Sequence, residues 1–568
     1  MPTDHAPVPG GGSAATPAHA ATPTWGFAHP SRRMPVLADE VVATSQPLAA
    51  QAGLDVLARG GNAIDAAIAA AAALTVVEPT SNGIGGDAFA LVWDGSELHG
   101  LNASGRSPAA LDTERLRSAG ALPFFGWDAV TVPGAVSAWA ALHERFARLP
   151  LAELLAPAAA YAEHGYAVGP VTASAWSRAP EKYRSGLTEV GQAQAFEDFA
   201  ATFLPGGGPP EPGERVTLPD HARTLRLIGE RGAEVLHRGE LGEQIAEAAA
   251  RAGAALRAED LAAHAAEWVT PLRLGLDALG CELVELPPNG QGVAALSAAG
   301  ILERTPGVQL PPDDPEAVHW QVEAMKAAFV DAHAHVADPA AMTLPAADLV
   351  APGRLDRLAG GLDAHRAGPG SPRLPRGGTV YLTTADREGR MVSFIQSNYL
   401  GFGSGIVVPG TGIALQNRGA GFVTDPEHPN AVAGGKRPFH TIIPAFAFRG
   451  GRPWLAFGVM GGHMQPQGHL QVLRWLADGA NPQAALDAPR WRVDAGRHVA
   501  LESGWPGAVA EALATRGHEA DVAGPGATSA GVTADMHAFG GGQVVQQRAG
   551  GGWAAGSDPR KDGLVAGR

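Results

Sequence analysis

The sequence predicts a mixed α+β fold built on antiparallel strands, and three observations carry that prediction. Alanine- and leucine-rich helical pattern fills most of the chain from about residue 130 to 360, including 133–142, 151–161 and 315–336. Two hairpin signals flank that block: FALVWDG and ELHGLNAS meet at Asp94-Gly95, and TVYLTTAD and MVSFIQS meet at Arg387-Glu388-Gly389. Further β-rich runs separated by glycine turns, GSGIVVPGTGIALQN, TIIPAFAF and PWLAFGVMGG, crowd the last third.

Taken in order, the run beginning VVATSQPLAAQAGLDVLARGG starts as a strand, turns helical at Pro47 and closes at Gly60-Gly61. Asn62 is placed to cap the next helix, because its side chain can accept the first free N–H groups. Ala63 to Val77 is almost wholly apolar, yet it is too short for a membrane span of about 18 residues and carries Asp65 near its start. It predicts a buried helix whose alanines permit close packing. Pro79 stops it, and Thr80 to Asp87 forms a glycine-rich turn into the first hairpin. CELVELPP reads as a strand, NGQG as a turn into another helix, and a helix from about Gln467 to Ala477 precedes a shorter α/β tail. Segment 351–378, APGRLDRLAGGLDAHRAGPGSPRLPRGG, has few large apolar residues and reads as an exposed, weakly ordered linker. Residues 1–30, rich in Pro, Ala, Gly and Thr, read as a disordered tail.

Composition narrows the functional class. Of 568 residues 45% are hydrophobic and 17% charged, enough for one large or two medium cores. A formal charge of −15 without a dense basic stripe argues against nucleic acid and suits an enzyme of small molecules. One cysteine, Cys281, allows neither an intrachain disulfide nor a thiolate metal cluster, and in its strand-like run it reads as a small buried hydrophobe. The start has no basic segment followed by an apolar core of a secretory signal, so a cytoplasmic location is expected. The glycine-rich runs at Gly83–Asp87 and Gly401–Gly405 fit neither dinucleotide nor phosphate-loop spacing. His319, His333 and His335 near Asp331 and Asp338 lack a shared helical face, so neither a metal nor an organic cofactor is expected.

Thr379 follows Gly377-Gly378 at the first position of a strand. A threonine hydroxyl is a poor nucleophile unless a base takes its proton. Were the Gly378–Thr379 bond cut, the freed α-amine, with a reference pKa of about 7.7–8.0, could be that base. By position alone, a threonine that merely begins a strand looks the same.

The surrounding motifs separate these alternatives. GGTVYLTTADREGRMVSFIQSNYLGFGSGIVVPGTGIALQNRGAGF resembles the start of the small subunit of the γ-glutamyltransferase family. Further stretches resemble that family in order: GGNAIDAAIAAAAALTVVEPTSNGIGGDAF, VPGAVSAW, EAMKAAFVDAHAHVADP, NGQGVAALSAAGILE, GGKRPFHTIIPAF, GVMGGHMQPQGHLQVL and AGSDPRKDG. The resemblance implies an N-terminal nucleophile hydrolase folded as a four-layer αββα sandwich, two antiparallel sheets between helical layers. It implies autoproteolysis at Gly378–Thr379, with residues 31–378 and 379–568 staying associated as large and small subunits of one domain, with room for further dimerisation. Thr379 becomes the nucleophile, Ser397 its hydrogen-bonding hydroxyl, and Gly461-Gly462 the backbone oxyanion hole. Arg106 aligns with an arginine that grips the substrate carboxylate.

The departures from the family cluster in the substrate pocket. The aspartate that binds the glutamyl ammonium is replaced by Gly421, a neighbouring glutamine by Arg418, and an asparagine by Tyr399, although Asn398 sits beside it. The serine pair that binds carboxylate becomes His440-Thr441. The pocket loses an anion and gains Arg418 and, depending on pH, His440 as anion receptors. A small-molecule amide is therefore expected as substrate. It is γ-glutamyl in the first reading, or a glutaryl-, oxalyl- or succinyl-like half-amide in the second. An unprocessed binding protein is the third.

Overall fold

Asn62 opens the most thoroughly enclosed helix of the molecule. Its Oδ1 accepts from the N–H groups of Ile64 (2.8 Å) and Asp65 (3.0 Å), and Asp65 Oδ2 accepts from Asn62 N–H (2.8 Å), a reciprocal cap. Every residue of the helix, Ala63–Val77, is buried, because it lies between helices Pro47–Ala58 and Leu151–His164 and the strand Gly378–Ala385. Alanine permits this, since a bulkier side chain would hold those neighbours apart. The structure, a computed structural model, describes residues 33–372, 374, 377–522 and 538–568. Among them no helix is long and apolar enough to cross a membrane. The tail expected over residues 1–30 lies outside them.

Two seven-stranded sheets, all of whose neighbouring strands run antiparallel, form the centre. The first has the order Leu564–Gly567, Val41–Thr44, Gly378–Ala385, Met391–Tyr399, Asp87–Trp93, Leu98–Ala103 and Glu267–Val269. The second has Val36–Ala38, Trp553–Ser557, Gly541–Gln547, Arg452–Met460, Ala445–Arg449, Cys281–Glu285 and Leu272–Leu276. One apolar core, including Phe89, Tyr381, Ile395, Phe446 and Met460, fills the space between the sheets. A second lies between the first sheet and the helices around Ala63–Val77, and a third between the second sheet and helices Gly292–Leu302, Pro315–His335 and Met464–Ala477. The order is helix, sheet, sheet, helix, the expected sandwich. Strands covered on both faces explain why 391–399 is buried at every residue.

Both predicted hairpins form. The division into a helical first part and a strand-rich last third does not describe the fold, because each sheet interleaves strands from before and after residue 378. Leu382 pairs with Thr44, and Ser397 with Asp87. The segment read as a weakly ordered linker is also different. Pro352–Gly360 is a helix, Leu355 packs fully buried against Gly300, and Ser371 bridges to Gly496. One apolar side chain per turn suffices when a partner groove exists, and composition does not reveal the groove. In GSGIVVPGTGIALQN two isolated bridges, Val407–Ala414 and Leu415–Gly85, form instead of strands.

Candidate active site

Thr379 stands at an irregularity in the first sheet. Gly378 is paired with Tyr399 and Val380 with Gln396, so the partner strand holds an extra residue there. Such a bulge re-aims side chains. It brings the Ser397 hydroxyl to 3.3 Å from Thr379 Oγ1 and lets it donate to the Gly378 carbonyl at 2.7 Å. Thr379 Oγ1 also lies 2.7 Å from that carbonyl oxygen. Tyr399 N–H donates to Ser397 Oγ (2.7 Å), made possible by a left-handed backbone at Tyr399 (φ 76°), which a non-glycine residue adopts only when its surroundings hold it there.

Gly461 and Gly462 follow the strand Arg452–Met460 with φ of 123° and 63°. A Cβ on Gly377 would stand 3.3 Å from Gly462 Cα and 2.9 Å from the Tyr399 carbonyl, so the glycine pair flanks the chain just before Thr379. The N–H groups of Gly461 and Gly462 donate to no acceptor among the described residues. Two free backbone donors beside a carbonyl suit a developing oxyanion.

Next to Thr379 lies a cluster of buried polar side chains. Arg418 is fully buried, donates Nη1–H to Thr441 Oγ1 (2.8 Å), reaches Ser397 Oγ with Nη2 (3.4 Å) and stacks its guanidinium 4.3 Å from the Tyr399 ring centre. Its Nε–H has no partner. Burial draws its pKa down to about 10, so it stays charged at neutral pH. Asp87 is the buried carboxyl that feels this charge. Its Oδ1 accepts from Gln416 Nε2 (2.8 Å) and Gly105 N–H (3.2 Å), and its Oδ2 lies 3.0 Å from His440 Nε2. Burial, opposed by Arg418, raises Asp87 to about 7. Burial, reinforced by Arg418 and Arg437, holds His440 well below the usual imidazole range. His440 Nδ1 accepts from Ile442 N–H (3.3 Å), so the neutral ring donates Nε2–H to Asp87. The pair is a hydrogen bond rather than an ion pair.

The geometry brings together Thr379, Ser397, Tyr399, Arg418 and Thr441, with Gly461-Gly462 alongside, and departs from two expectations, those for His440 and Arg106. His440 is no anion receptor, because both its nitrogens are engaged. Tyr399 supports Arg418 by stacking, while the Asn398 amide is buried without a partner against Gly83 and Gly86. Arg106 pairs with Asp338 (2.6 Å) and the Gly435 carbonyl (3.2 Å), and lines a separate cavity with His264, Glu267 and Arg437. An arginine in a loop takes whichever carboxylate the fold presents, and here that is Asp338. Gly421 packs so that an added Cβ would stand 2.7 Å from the Phe439 carbonyl, leaving no room for an aspartate without a shift.

Sequence reasoning missed Gln465, Gln291 and Asp87. Gln465 Nε2 donates to Thr379 Oγ1 (3.3 Å) while its Oε1 accepts from Ile443 N–H (2.9 Å). Gln291 Nε2 donates to the carbonyls of Thr441 (2.6 Å) and Gly462 (3.0 Å), tying the carboxylate side to the oxyanion side. All three lie inside motifs singled out for their glycines, so a polar residue within three positions of those glycines was the available signal. Elsewhere His319, Glu323 and His518 gather closely enough to suggest a metal, but the Lys326 ammonium already occupies Glu323 at 2.6 Å.

The gamma-glutamyltranspeptidase family model matches residues 49–568. The chain belongs to that family. Its relatives include the oxamate amidohydrolase proenzyme of Klebsiella pneumoniae, 36% identical over 92% of this chain and 97% of that protein. The glutathione hydrolase-like YwrD proenzyme of Bacillus subtilis is 36% identical over 80% of this chain and 84% of its own length. Among solved structures, the cephalosporin acylase of Bacillus halodurans is 46% identical with a TM-score of 0.88, covering 97% of this chain and 99% of that one. Family and relatives are amidohydrolases and acylases of the N-terminal nucleophile type, which fixes amide-bond chemistry for the chain and leaves the acyl group open.

Proposed function

We propose that this family member is an autoprocessed amidohydrolase for acyl groups that carry a carboxylate and no ammonium, such as glutaryl-, succinyl- or oxalyl-type half-amides. The observation that carries this reading is Arg418, a buried cation with an unpaired Nε–H in a pocket where Gly421 admits no carboxylate. A guanidinium offers two parallel hydrogen bonds to a carboxylate and so fixes orientation together with charge. A buried ammonium without an anion is costly. The carboxyl that Arg418 feels, Asp87, has both oxygens engaged already. The relative named oxamate amidohydrolase supports the same reading, because oxamate is a half-amide with a free carboxylate and no ammonium.

In this reading Thr379 Oγ1 first attacks the Gly378 carbonyl, forming an ester as the C–N bond breaks, and water then hydrolyses the ester. The two products remain one body, since each sheet contains strands of both. The freed amine of Thr379 takes the proton of its own hydroxyl, the hydroxyl attacks the substrate amide, and Gly461 and Gly462 N–H groups hold the oxyanion. The protonated amine returns the proton to the leaving amine. Water then releases the acid from Thr379, with Ser397 and Gln465 keeping the threonine in one rotamer.

A γ-glutamyl amide is the second reading, favoured by the relative named glutathione hydrolase-like. Steady-state kinetics on glutaryl and γ-glutamyl 4-nitroanilides separates the two. The expected result is at least about a tenfold higher kcat/KM for the glutaryl compound, about 1.4 kcal/mol. A preference for the γ-glutamyl compound overturns the proposal.

A further inference from the structure

A serine hydroxyl has one proton and two lone pairs, and at Ser397 all three are accounted for. Tyr399 N–H donates to its oxygen at 2.7 Å, and Arg418 Nη2 approaches the same oxygen at 3.4 Å. A backbone N–H and a guanidinium can only donate, so together they take up the lone pairs. The serine proton is left to find an acceptor. Thr379 Oγ1 stands 3.3 Å away and the Gly378 carbonyl oxygen 2.7 Å, so the nearer carbonyl takes it. That carbonyl is the group attacked when the chain cuts itself. It accepts no bond from the N–H groups of Gly461 or Gly462 among the described residues. Before cleavage, therefore, the donor set against the scissile carbonyl is Ser397, with Arg418 behind it. Both side chains are fully buried, and Thr441 and the Tyr399 ring hold the guanidinium in place. In such an enclosed site a hydroxyl that accepts from a cation becomes a stronger donor, because linked hydrogen bonds polarise one another.

We propose that Arg418 has a second task in the uncut chain: acting through Ser397, it polarises the Gly378 carbonyl and speeds cleavage of the Gly378–Thr379 bond. This task rests on the self-cleavage proposed above and is independent of which acyl group Arg418 later receives. In that step Thr379 Oγ1 bonds to the Gly378 carbonyl carbon, and the C=O electron pair moves onto the oxygen. Negative charge thus appears where the Ser397 O–H points, and a cation one hydrogen bond further back stabilises it. Collapse of the adduct restores C=O and breaks the C–N bond. The Thr379 hydroxyl proton ends on the Thr379 nitrogen, giving an ester and a free amine. Water then splits the ester into the Gly378 carboxylic acid and the Thr379 hydroxyl. Arg418 reaches the reacting carbonyl only through Ser397, and so is a positioning residue for this step.

The test times cleavage of the freshly synthesised full chain by densitometry on denaturing gels, with no substrate present. It compares the unaltered chain with Arg418→Met, Arg418→Lys, Ser397→Ala and the double variant Ser397→Ala/Arg418→Met. Arg418→Met should cleave about tenfold more slowly, the order that a long hydrogen bond to a charged group contributes. Arg418→Lys keeps the charge at nearly the same length and should recover part of the rate. In the Ser397→Ala background, Arg418→Met should slow cleavage by less than about twofold, because the hydroxyl that passes on its charge is gone. A residue that only supports the fold would cost the same factor in both backgrounds. Should Ser397→Ala cleave too slowly to time, the lysine variant decides. Faster cleavage of Arg418→Lys than of Arg418→Met supports the second task, and equal rates overturn it. An unchanged rate in Arg418→Met, or the same loss with and without Ser397, also overturns it. If the unaltered chain stays uncut, self-cleavage itself falls, an outcome distinct from a chain that cuts itself without help from Arg418.

Discussion

The two sides of Thr379 use the same kind of group in opposite ways. On the inner side a single guanidinium, Arg418, is fully buried and held by Thr441 and by the face of Tyr399. On the outer side Arg178, Lys182 and Lys561 line a cavity beside Gly378 and have no ion pair or hydrogen bond among the described residues, although Lys182 lies by the Tyr183 ring and Lys561 within electrostatic reach of Glu78. Each side has a buried carboxyl behind it, Asp87 inside and Glu78 outside, both raised to about 7 by burial. The lesson is one of dielectric. An enclosed cation with fixed geometry can demand a particular anion, whereas half-exposed cations are screened and can only favour one. Selectivity set by Arg418 should therefore be steep.

The largest effect expected is at the residue shared by both sides. Thr379→Ala should remain one uncut chain on denaturing electrophoresis and show no amidase activity, while Thr379→Ser should still cut, more slowly. Cleavage of the alanine variant at the same bond would show that another group attacks Gly378. Next, Arg418→Met should lower kcat/KM for a glutaryl amide by about 10²–10³, about 2.7–4 kcal/mol, the order found when one member of a buried charged pair is removed. It should also erase the preference for glutaryl over the uncharged butyryl amide. If that preference survives, the inner pocket does not read the carboxylate, and the contrast between the sides collapses.

A smaller effect is expected at Gln465→Ala. Loss of its 3.3 Å donation to Thr379 and of its hold on Ile443 should slow processing and turnover about tenfold, near the ~1.4 kcal/mol typical of a hydrogen bond at the upper end of its range. Processing followed by gel densitometry would read it, and an unchanged rate would make Gln465 only a packing residue. The smallest effect is a pH dependence at Glu78→Gln. Folded Glu78 keeps its proton up to about pH 7, while the unfolded chain releases it near 4.5. The folded state therefore binds more protons across that window, and its contribution to stability is full below pH 4.5 and is lost as pH rises through 7. Glutamine removes this loss, so the Tm of Glu78→Gln relative to the unaltered protein should rise from pH 5 to pH 8. A difference constant with pH would mean that Glu78 ionises freely and that the outer side is less enclosed than the inner.

Much of the site was legible because its parts are local. The cap at Asn62, the hairpin behind Thr379 and the glycine pair after Met460 each announce themselves within a few residues. The failures were of two physical kinds. Arg106 and His440 were assigned by alignment, but the partner of a charged or polar side chain is set by what the fold places within about 3 Å, here Asp338 and Asp87. Segment 352–360 looked unstructured because its helix depends on one buried residue, Leu355, and on a groove at Gly300 supplied from elsewhere.

By itself the sequence indicated most of the elements, pointed to Thr379 as the candidate nucleophile and showed the direction of the charge change around it. Periodicity, turn residues and residue type are properties of neighbours along the chain, and Gly421 and Arg418 are substitutions visible as letters. Only the tertiary structure decided that Arg418 keeps an unpaired donor, that no aspartate fits at Gly421 without a shift, and that cations from two distant segments share a cavity beside Gly378. Arg178, Lys182 and Lys561 meet only because the chain's last residues return to the sheet that begins near its start, and no pattern along the chain encodes that meeting.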